Sequence, residues 1–232
     1  MWTASQLSRF CAHHRLLSNL NPRPTRDKAA AKGTAFHTAL KEWHDTGRIP
    51  PQVDGDVTCW LDIMIENGWT WPDGVELEVA WGLNKWGMFS PVEEKPEGSH
   101  IYVALDGEPL ITAGRADACW MVGDVLVSVD WKTGRTLAPQ ARINLQVNAA
   151  GIALAQKWKA RAYQPGIYYA REGRWDMGEE VELHSPEAFT AGEAIETAAG
   201  LDDQPHPGDH CADCWERKNC AASVLGESPS LR

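Results

Sequence analysis

The stretch VLVSVDWKTGR, Val125 to Arg135, is an apolar run of strand character that ends in an acid, a base and a turn. Side chains two apart on a strand share a face, so Asp130 and Lys132 emerge together. Upstream, LITAGRADACWMV, Leu110 to Val122, is a second β-rich run, and only Gly123 and Asp124 separate the two. A Gly-X pair between such runs signals a two-residue hairpin, with Gly supplying the positive φ of the first turn position. Pairing Val122 with Val125 places Asp117 opposite Asp130 and clusters two carboxylates and one ammonium. Directly opposed like charges destabilise a sheet, and a partly buried pair either raises one pKa or recruits a cation. Oxygen ligands suit Mg²⁺ or Mn²⁺. Such an ion can activate water for attack on a phosphodiester, with Lys132 positioning that water or offsetting transition-state charge. In the plainer alternative the hairpin end is solvated and Lys132 merely neutralises Asp130.

A second chemistry lies in the cysteines. Of six, Cys211, Cys214 and Cys220 form Cys-x2-Cys-x5-Cys. A cytosolic chain keeps its thiols reduced, so this spacing points to a metal or cluster site rather than to disulfides. Three thiolates need a fourth ligand, and Cys11 is the candidate. Structural zinc held by the three cysteines plus Cys11, His210 or His206 is the competing reading. Cys59 and Cys119 read as ordinary buried thiols.

The elements that must position these groups follow from pattern. Residues 3–18 read as a helix broken by NPRPTR. A second helix runs from Asp27 to His44, with Phe36, Leu40 and Trp43 at helical spacing. A shorter one, Asp56 to Asn67, carries Trp60, Ile63 and Met64. Val75 to Trp81 alternates as a strand, Asn84 to Gly98 reads as a loop, and Ile101 to Leu105 as a short strand. After the hairpin, Ala141 to Lys157 is an alanine-rich helix. Two strands follow, Ala160 to Ala170 and Arg174 to Leu183, joined at Arg171-Glu172-Gly173, and Pro186 to Ala199 is a last helix. This order predicts an α/β fold, a sheet with helices packed against it, and not a dinucleotide-binding βαβαβ unit. No Gly-rich phosphate loop is present.

The 232 residues suffice for one sizeable domain, and the composition is that of a soluble globular protein. No apolar run is long enough to span a bilayer and the N-terminus lacks a signal-peptide core, so a cytoplasmic location is expected. Most of the 12 Trp are expected in the core, with a minority stacking on a ligand. The net charge of −10 argues against a nucleic-acid partner, but its distribution does not. Residues 1–50 carry 8 Lys and Arg against 3 Asp and Glu, and residues 131–175 carry 8 against 1. The two intervening segments are acidic. If the basic segments fold together they form a phosphate-attracting face; if not, they face different ways.

ITAGRADACW and VLVSVDWKTGR together resemble the PD-(D/E)XK nuclease superfamily, particularly its RecB-like branch. That pattern has an Asp on one strand, then an apolar strand ending in acid-x-Lys, often with Thr-Gly after it; here these are Asp117, Asp130, Lys132, Thr133 and Gly134. The branch has an upstream helix with Gly and His four apart, matched by Gly33 and His37 in KGTAFHTAL, and the resemblance implies that His37 is a metal ligand with Asp117 and Asp130. It also implies a role for Gln146 in INLQVNAAG, although Ala150 stands where the family has Tyr. Glu78 is a further candidate acid. One Cys before the core and three after it is similar to the iron–sulfur members, including CRISPR-associated and AddB-type nucleases. The resemblance therefore implies a [4Fe-4S] cluster on Cys11, Cys211, Cys214 and Cys220, stapling the N-terminal helix to the C-terminal tail.

The expectation is a restriction-endonuclease-like core with a mixed central sheet flanked by helices. It forms one domain, 1–232, in which 27–200 are the nuclease core and 1–25 with 205–225 the cluster-binding part. By resemblance it is a hydrolase: a Mg²⁺- or Mn²⁺-dependent deoxyribonuclease, an exonuclease on single-stranded or unwound ends, acting in recombination, repair or CRISPR adaptation. It would be a phage-borne nuclease that stands alone or is recruited by a helicase, CRISPR or recombination partner. The alternative is a catalytically inactive, iron–sulfur- or zinc-stapled module that binds DNA or another protein. Catalytic roles fall to Asp117, Asp130, Lys132 and Gln146.

Overall fold

The computed structural model describes residues 2–3, 27–51, 53–95, 101–134 and 138–200. Their elements, in chain order, are β1 (Trp2–Thr3), α1 (Asp27–Thr46), α2 (Gly55–Glu66), β2 (Glu76–Asn84), β3 (Phe89–Ser90), β4 (Val92–Glu94), β5 (Tyr102–Ala104), β6 (Leu110–Val122) and β7 (Val125–Lys132). A 3-10 turn (Ala141–Ile143), α3 (Leu145–Trp158), β8 (Ala162–Tyr169), β9 (Arg174–Met177), β10 (Val181–Glu182) and α4 (Pro186–Gly200) complete them. The main sheet runs β10-β8-β7-β6-β2-β3, with β9 beside β8 and β1 beside β6, while β4 and β5 form a separate ribbon. Pairing is antiparallel except for β7–β8 and β1–β6, so the sheet is mixed, as expected.

The sheet is covered on both faces. Phe36, Ala39 and Leu40 of α1 and Val57, Trp60, Leu61 and Met64 of α2 pack with Val127, Val129, Trp131 and Tyr168. On the other face, Leu145, Ala149, Ile152 and Ala153 of α3 pack with Trp81, Leu126 and Tyr163, joined by Ile195 of α4. Adjacent β7 residues thus enter opposite layers, as strand alternation requires. The small residues of α3 allow a close approach: a Cβ at Gly151 would lie 2.3 Å from the ring of fully buried Tyr163. The two basic segments contribute α1 and α3 to opposite layers, so these helices do not share a face.

The hairpin turn and register form as read as far as Ala118 and Val129, but pairing stops there, so Asp117 does not stand opposite Asp130 as expected and instead accepts the Trp131 amide. Val122 pairs with Val125 and Ala118 with Val129, and Gly123 has φ +63°. Other readings shift. The stretch 84–98 contains β3 and β4, and Arg174 to Leu183 divides into β9 and β10. The helix expected from Ala141 starts as a 3-10 turn and becomes α-helical only after Asn144, whose Oδ1 accepts from the Gln146 and Val147 amides. Cys59, read as buried, is exposed: the inward face of α2 falls at Val57, Trp60, Leu61 and Met64. Cys119 is buried. Thr3, placed at the start of a helix, belongs to a strand; the rest of that helix, His206, His210 and the four cysteines assigned to a cluster lie outside the described residues. Among the described residues, no helix is long and apolar enough to cross a membrane.

Candidate active site

Two strands turn over at the same level. Leu77 and Ala118 are paired and face the α1/α2 layer, whereas Val79 and Ala116, two residues on, are paired and face the α3 layer. In a regular strand residues two apart share a face. Between them Glu78 and Asp117 leave the ladder, and Glu78 has φ +54°, the left-handed region. A side chain there is costly, and such strain concentrates at functional sites. The other edge of β6 opens at the same place. β7 pairs with Ala118 to Val122 and β1 with Thr112 and Ala113, so residues 114–117 lie between the two partners.

Asp117 occupies that opening. Its Oδ2 accepts the Trp131 amide at 2.6 Å, which replaces a backbone ladder bond just past the last paired residues. Its Oδ1 lies 3.6 Å from His37 Nδ1, and Glu78 Oε1 lies 3.5 Å from the same nitrogen. His37 reaches this point because Gly33, one turn earlier on α1, passes close to the end of β7: a Cβ there would be 3.1 Å from Thr133 Oγ1. The ring packs edge-to-face on Trp131, and its Nε2 lies 3.3 Å from the Trp131 carbonyl, to which an Nε2–H can donate. That tautomer leaves Nδ1 as a lone-pair donor facing both carboxylates.

Asp130 and Lys132 share the face turned to α3, as strand alternation predicted. Lys132 Nζ is 2.6 Å from Asp130 Oδ2. Gln146, held in the first turn of α3, joins the pair: its Nε2 donates to Asp130 Oδ1 at 2.6 Å and its Oε1 accepts from Lys132 Nζ at 3.1 Å. Ala150, one turn on, is buried in the core, so no side chain reaches the site from the position where the family has Tyr.

The charges are interdependent. Burial pushes the Asp117 carboxyl well above the ordinary range, with Asp130 adding to the shift and His37 opposing it. Burial works to lower the His37 pKa, but Asp117, Glu78 and Asp130 outweigh it and raise it to about 9. Burial likewise disfavours the Lys132 cation, yet Asp130 and Asp117 hold its pKa above the usual lysine value. These carboxylates thus favour the charged form of Lys132.

Ligand atoms of His37, Glu78 and Asp117 lie within 4.8 Å of one another. One imidazole and two carboxylates are a donor set that fits a divalent cation, and the nitrogen suits Mn²⁺ at least as well as Mg²⁺. Of the expected ligands His37 and Asp117 belong to this group. Asp130 stands beside it, engaged with Lys132 and Gln146. Glu78 was legible in sequence only as one more acid on a strand. Trp131, whose backbone N–H donates to Asp117 and whose carbonyl faces His37, had no signal beyond its apolar position.

A mixed central sheet with helices on both faces is consistent with a PD-(D/E)XK core. The chain belongs to the PD-(D/E)XK nuclease superfamily, whose family model matches residues 2–221. Among solved structures, the crystal structure of SSO0001 is similar, with a TM-score of 0.46 and 14% identity over 96% of this chain and 86% of that one. No curated protein matches the chain.

Proposed function

We propose that this superfamily member is a metal-dependent deoxyribonuclease of the RecB-like branch, acting as an exonuclease on single-stranded or unwound DNA ends. The observation that carries the reading is the convergence of His37, Glu78 and Asp117 beside the Asp130–Lys132–Gln146 cluster, where the middle of β6 passes the C-terminal end of β7. Bound there, Mg²⁺ or Mn²⁺ would supply Lewis-acid stabilisation of a phosphodiester and a more acidic water. His37, Glu78 and Asp117 would hold the ion, with Asp130 adjoining it. Hydrogen bonding to the Trp131 carbonyl keeps the His37 ring aimed at the two carboxylates. Gln146 fixes Asp130 and Lys132 relative to each other, and the Lys132 ammonium offsets negative charge on the reacting phosphate. The single-strand and exonuclease assignments rest on the resemblance of Gly33, His37, Asp117, Asp130, Lys132 and Gln146 to that branch. A [4Fe-4S] cluster on Cys11, Cys211, Cys214 and Cys220 is part of the same proposal, with zinc as its alternative; it rests on the resemblance of one cysteine before the core and three after it to the iron–sulfur members of that branch. Recombination, repair or CRISPR adaptation, with a helicase or recombination partner, is the setting this implies.

The test uses the full chain purified anaerobically and analysed for iron, sulfide and zinc. Cleavage is then assayed on end-labelled linear and on circular single strands, and on duplex DNA, with Mg²⁺, Mn²⁺ or chelator. The expected result is metal-dependent loss of linear single strands with circles spared. Lys132→Ala should abolish cleavage and leave DNA binding largely intact; undiminished cleavage by that variant overturns the mechanism. A colourless protein containing zinc and no iron replaces the cluster with zinc.

A further inference from the structure

Glu78 leaves the β2–β6 ladder, so its backbone does little to fix its side chain. The constraint comes from Arg115, which lies on β6 opposite Ala80. Arg115 Nη1 is 3.7 Å from Glu78 Oε2, and Nη2 donates to Glu94 Oε2. Glu78 is therefore held from both sides, with Oε2 toward the guanidinium and Oε1 toward His37 at 3.5 Å. Glu94 is on β4, with a side chain only 5% exposed, and its cross-strand neighbour is buried Tyr102 on β5. Burial raises the Tyr102 pKa, with Glu94 and Glu78 adding to the shift and Arg115 opposing it, which marks the four groups as neighbours.

As a stabilising device this arrangement is poor. Arg115 Nε is buried without a hydrogen-bond partner among the described residues, which is destabilising. The Coulomb gain of a desolvated ion pair is largely cancelled by desolvation. Glu78 also carries a left-handed backbone. What the arrangement does supply is orientation, because the planar guanidinium can engage two carboxylates in a fixed fork.

We propose that Arg115 is a positioning residue that keeps Glu78 directed at His37 and Asp117. Through Glu94 it ties that geometry to the β4–β5 ribbon, making the ribbon part of the site. The inference rests on the reading of His37, Glu78 and Asp117 as a cation site and adds how one ligand is aimed.

The experiment is calorimetric titration of Mn²⁺ into the full chain without DNA, in a double-mutant cycle of Arg115→Lys and Glu78→Gln, with melting temperatures alongside. Lysine keeps the charge, so repulsion of the cation is little changed and only the fork is lost. Arg115→Lys should weaken Mn²⁺ binding by about 10-fold or more, the scale of an outer-shell partner. With Glu78→Gln already present, it should change binding by less than about twofold, because the interaction it serves is gone. Additive effects in the cycle overturn the proposal, as does a lowered melting temperature with unchanged Mn²⁺ affinity. Should Arg115→Lys not fold, Glu94→Gln replaces it, and its weakening of Mn²⁺ binding must likewise depend on Glu78. If instead His37→Ala and Asp117→Ala leave Mn²⁺ binding unchanged, the cation-site reading fails and this inference with it. Dependence on His37 with additive Arg115 and Glu78 effects rejects the positioning role alone.

Discussion

Replacing Glu78 by glycine and by alanine should reverse the usual order of the two residues in a strand. Both variants lose the carboxylate, so its contacts with His37 and Arg115 cancel in the comparison. What remains is the backbone. In an ordinary strand, glycine is less stable than alanine by roughly 0.5–1 kcal/mol, because it loses more freedom on folding. Glu78, however, has φ +54°, where a Cβ crowds the following carbonyl at a cost of about 1–2 kcal/mol. Glycine escapes that cost, so Glu78→Gly should exceed Glu78→Ala in stability by about 0.5–1 kcal/mol. In a chain of this size that is roughly 1–4 °C in melting temperature. Ala80→Gly, two residues along the same strand and regularly paired with Arg115, is the control and should destabilise. The measurement is urea denaturation in chelator, followed by tryptophan fluorescence. A Glu78→Gly variant less stable than Glu78→Ala by the Ala80→Gly margin would refute the strained geometry, and with it the account of how both strands turn over at Asp117.

Gly151→Ala drives a Cβ to 2.3 Å from the fully buried Tyr163 ring. Alanine's helix propensity returns about 1 kcal/mol, but overpacking costs about 1–3 kcal/mol; with the ring locked by its hydrogen bond to Asn148 a net loss is expected in denaturant titration, and a gain would refute the close helix–sheet contact. In chelator, His37 has a folded pKa near 9 against an ordinary 6.5, so its stabilising contribution is complete below pH 6.5 and is lost as pH rises through 9. The stability difference between the native chain and His37→Ala should therefore shrink across that window, and a difference flat from pH 6 to 10 contradicts the raised pKa. Because the His37 imidazole must shed its proton to bind a cation and the Asp117 carboxyl also has a raised pKa, Mn²⁺ binding at neutral pH should release at least one proton, read from calorimetry in buffers of different ionisation enthalpy.

The parts of the fold written in local pattern were legible. Gly123-Asp124 between two β-rich runs specified the hairpin and its register, and hence the shared face of Asp130 and Lys132, because both follow from strand alternation and turn chemistry. The spacing of Phe36 and Leu40 specified the inner face of α1 and so the side from which His37 approaches. What escaped was non-local. Glu78 alternates like any strand acid, and nothing nearby signals φ +54° at a position without glycine; that conformation falls at the level where Asp117 of the neighbouring strand also leaves the ladder. Nothing in the sequence singles out Arg115, since its partner Glu94 lies 21 residues upstream in a stretch read as loop.

The position of Trp131 explains why acid-x-Lys works as a unit rather than as two charged residues. Its side chain, 3% exposed, anchors β7 in the α1/α2 layer. Alternation then forces its neighbours Asp130 and Lys132 toward α3, where Gln146 receives both. Its peptide N–H is taken by Asp117 from β6, and its carbonyl lies against His37 from α1. One buried aromatic thus sets the relative placement of groups drawn from β6, β7, α1 and α3. A substitution at Trp131 would disturb Asp117, His37, Asp130 and Lys132 together, whereas a substitution at any one of those four leaves the frame for the others. The middle residue of the motif, silent in the sequence, is the point where the two helical layers and the central hairpin meet.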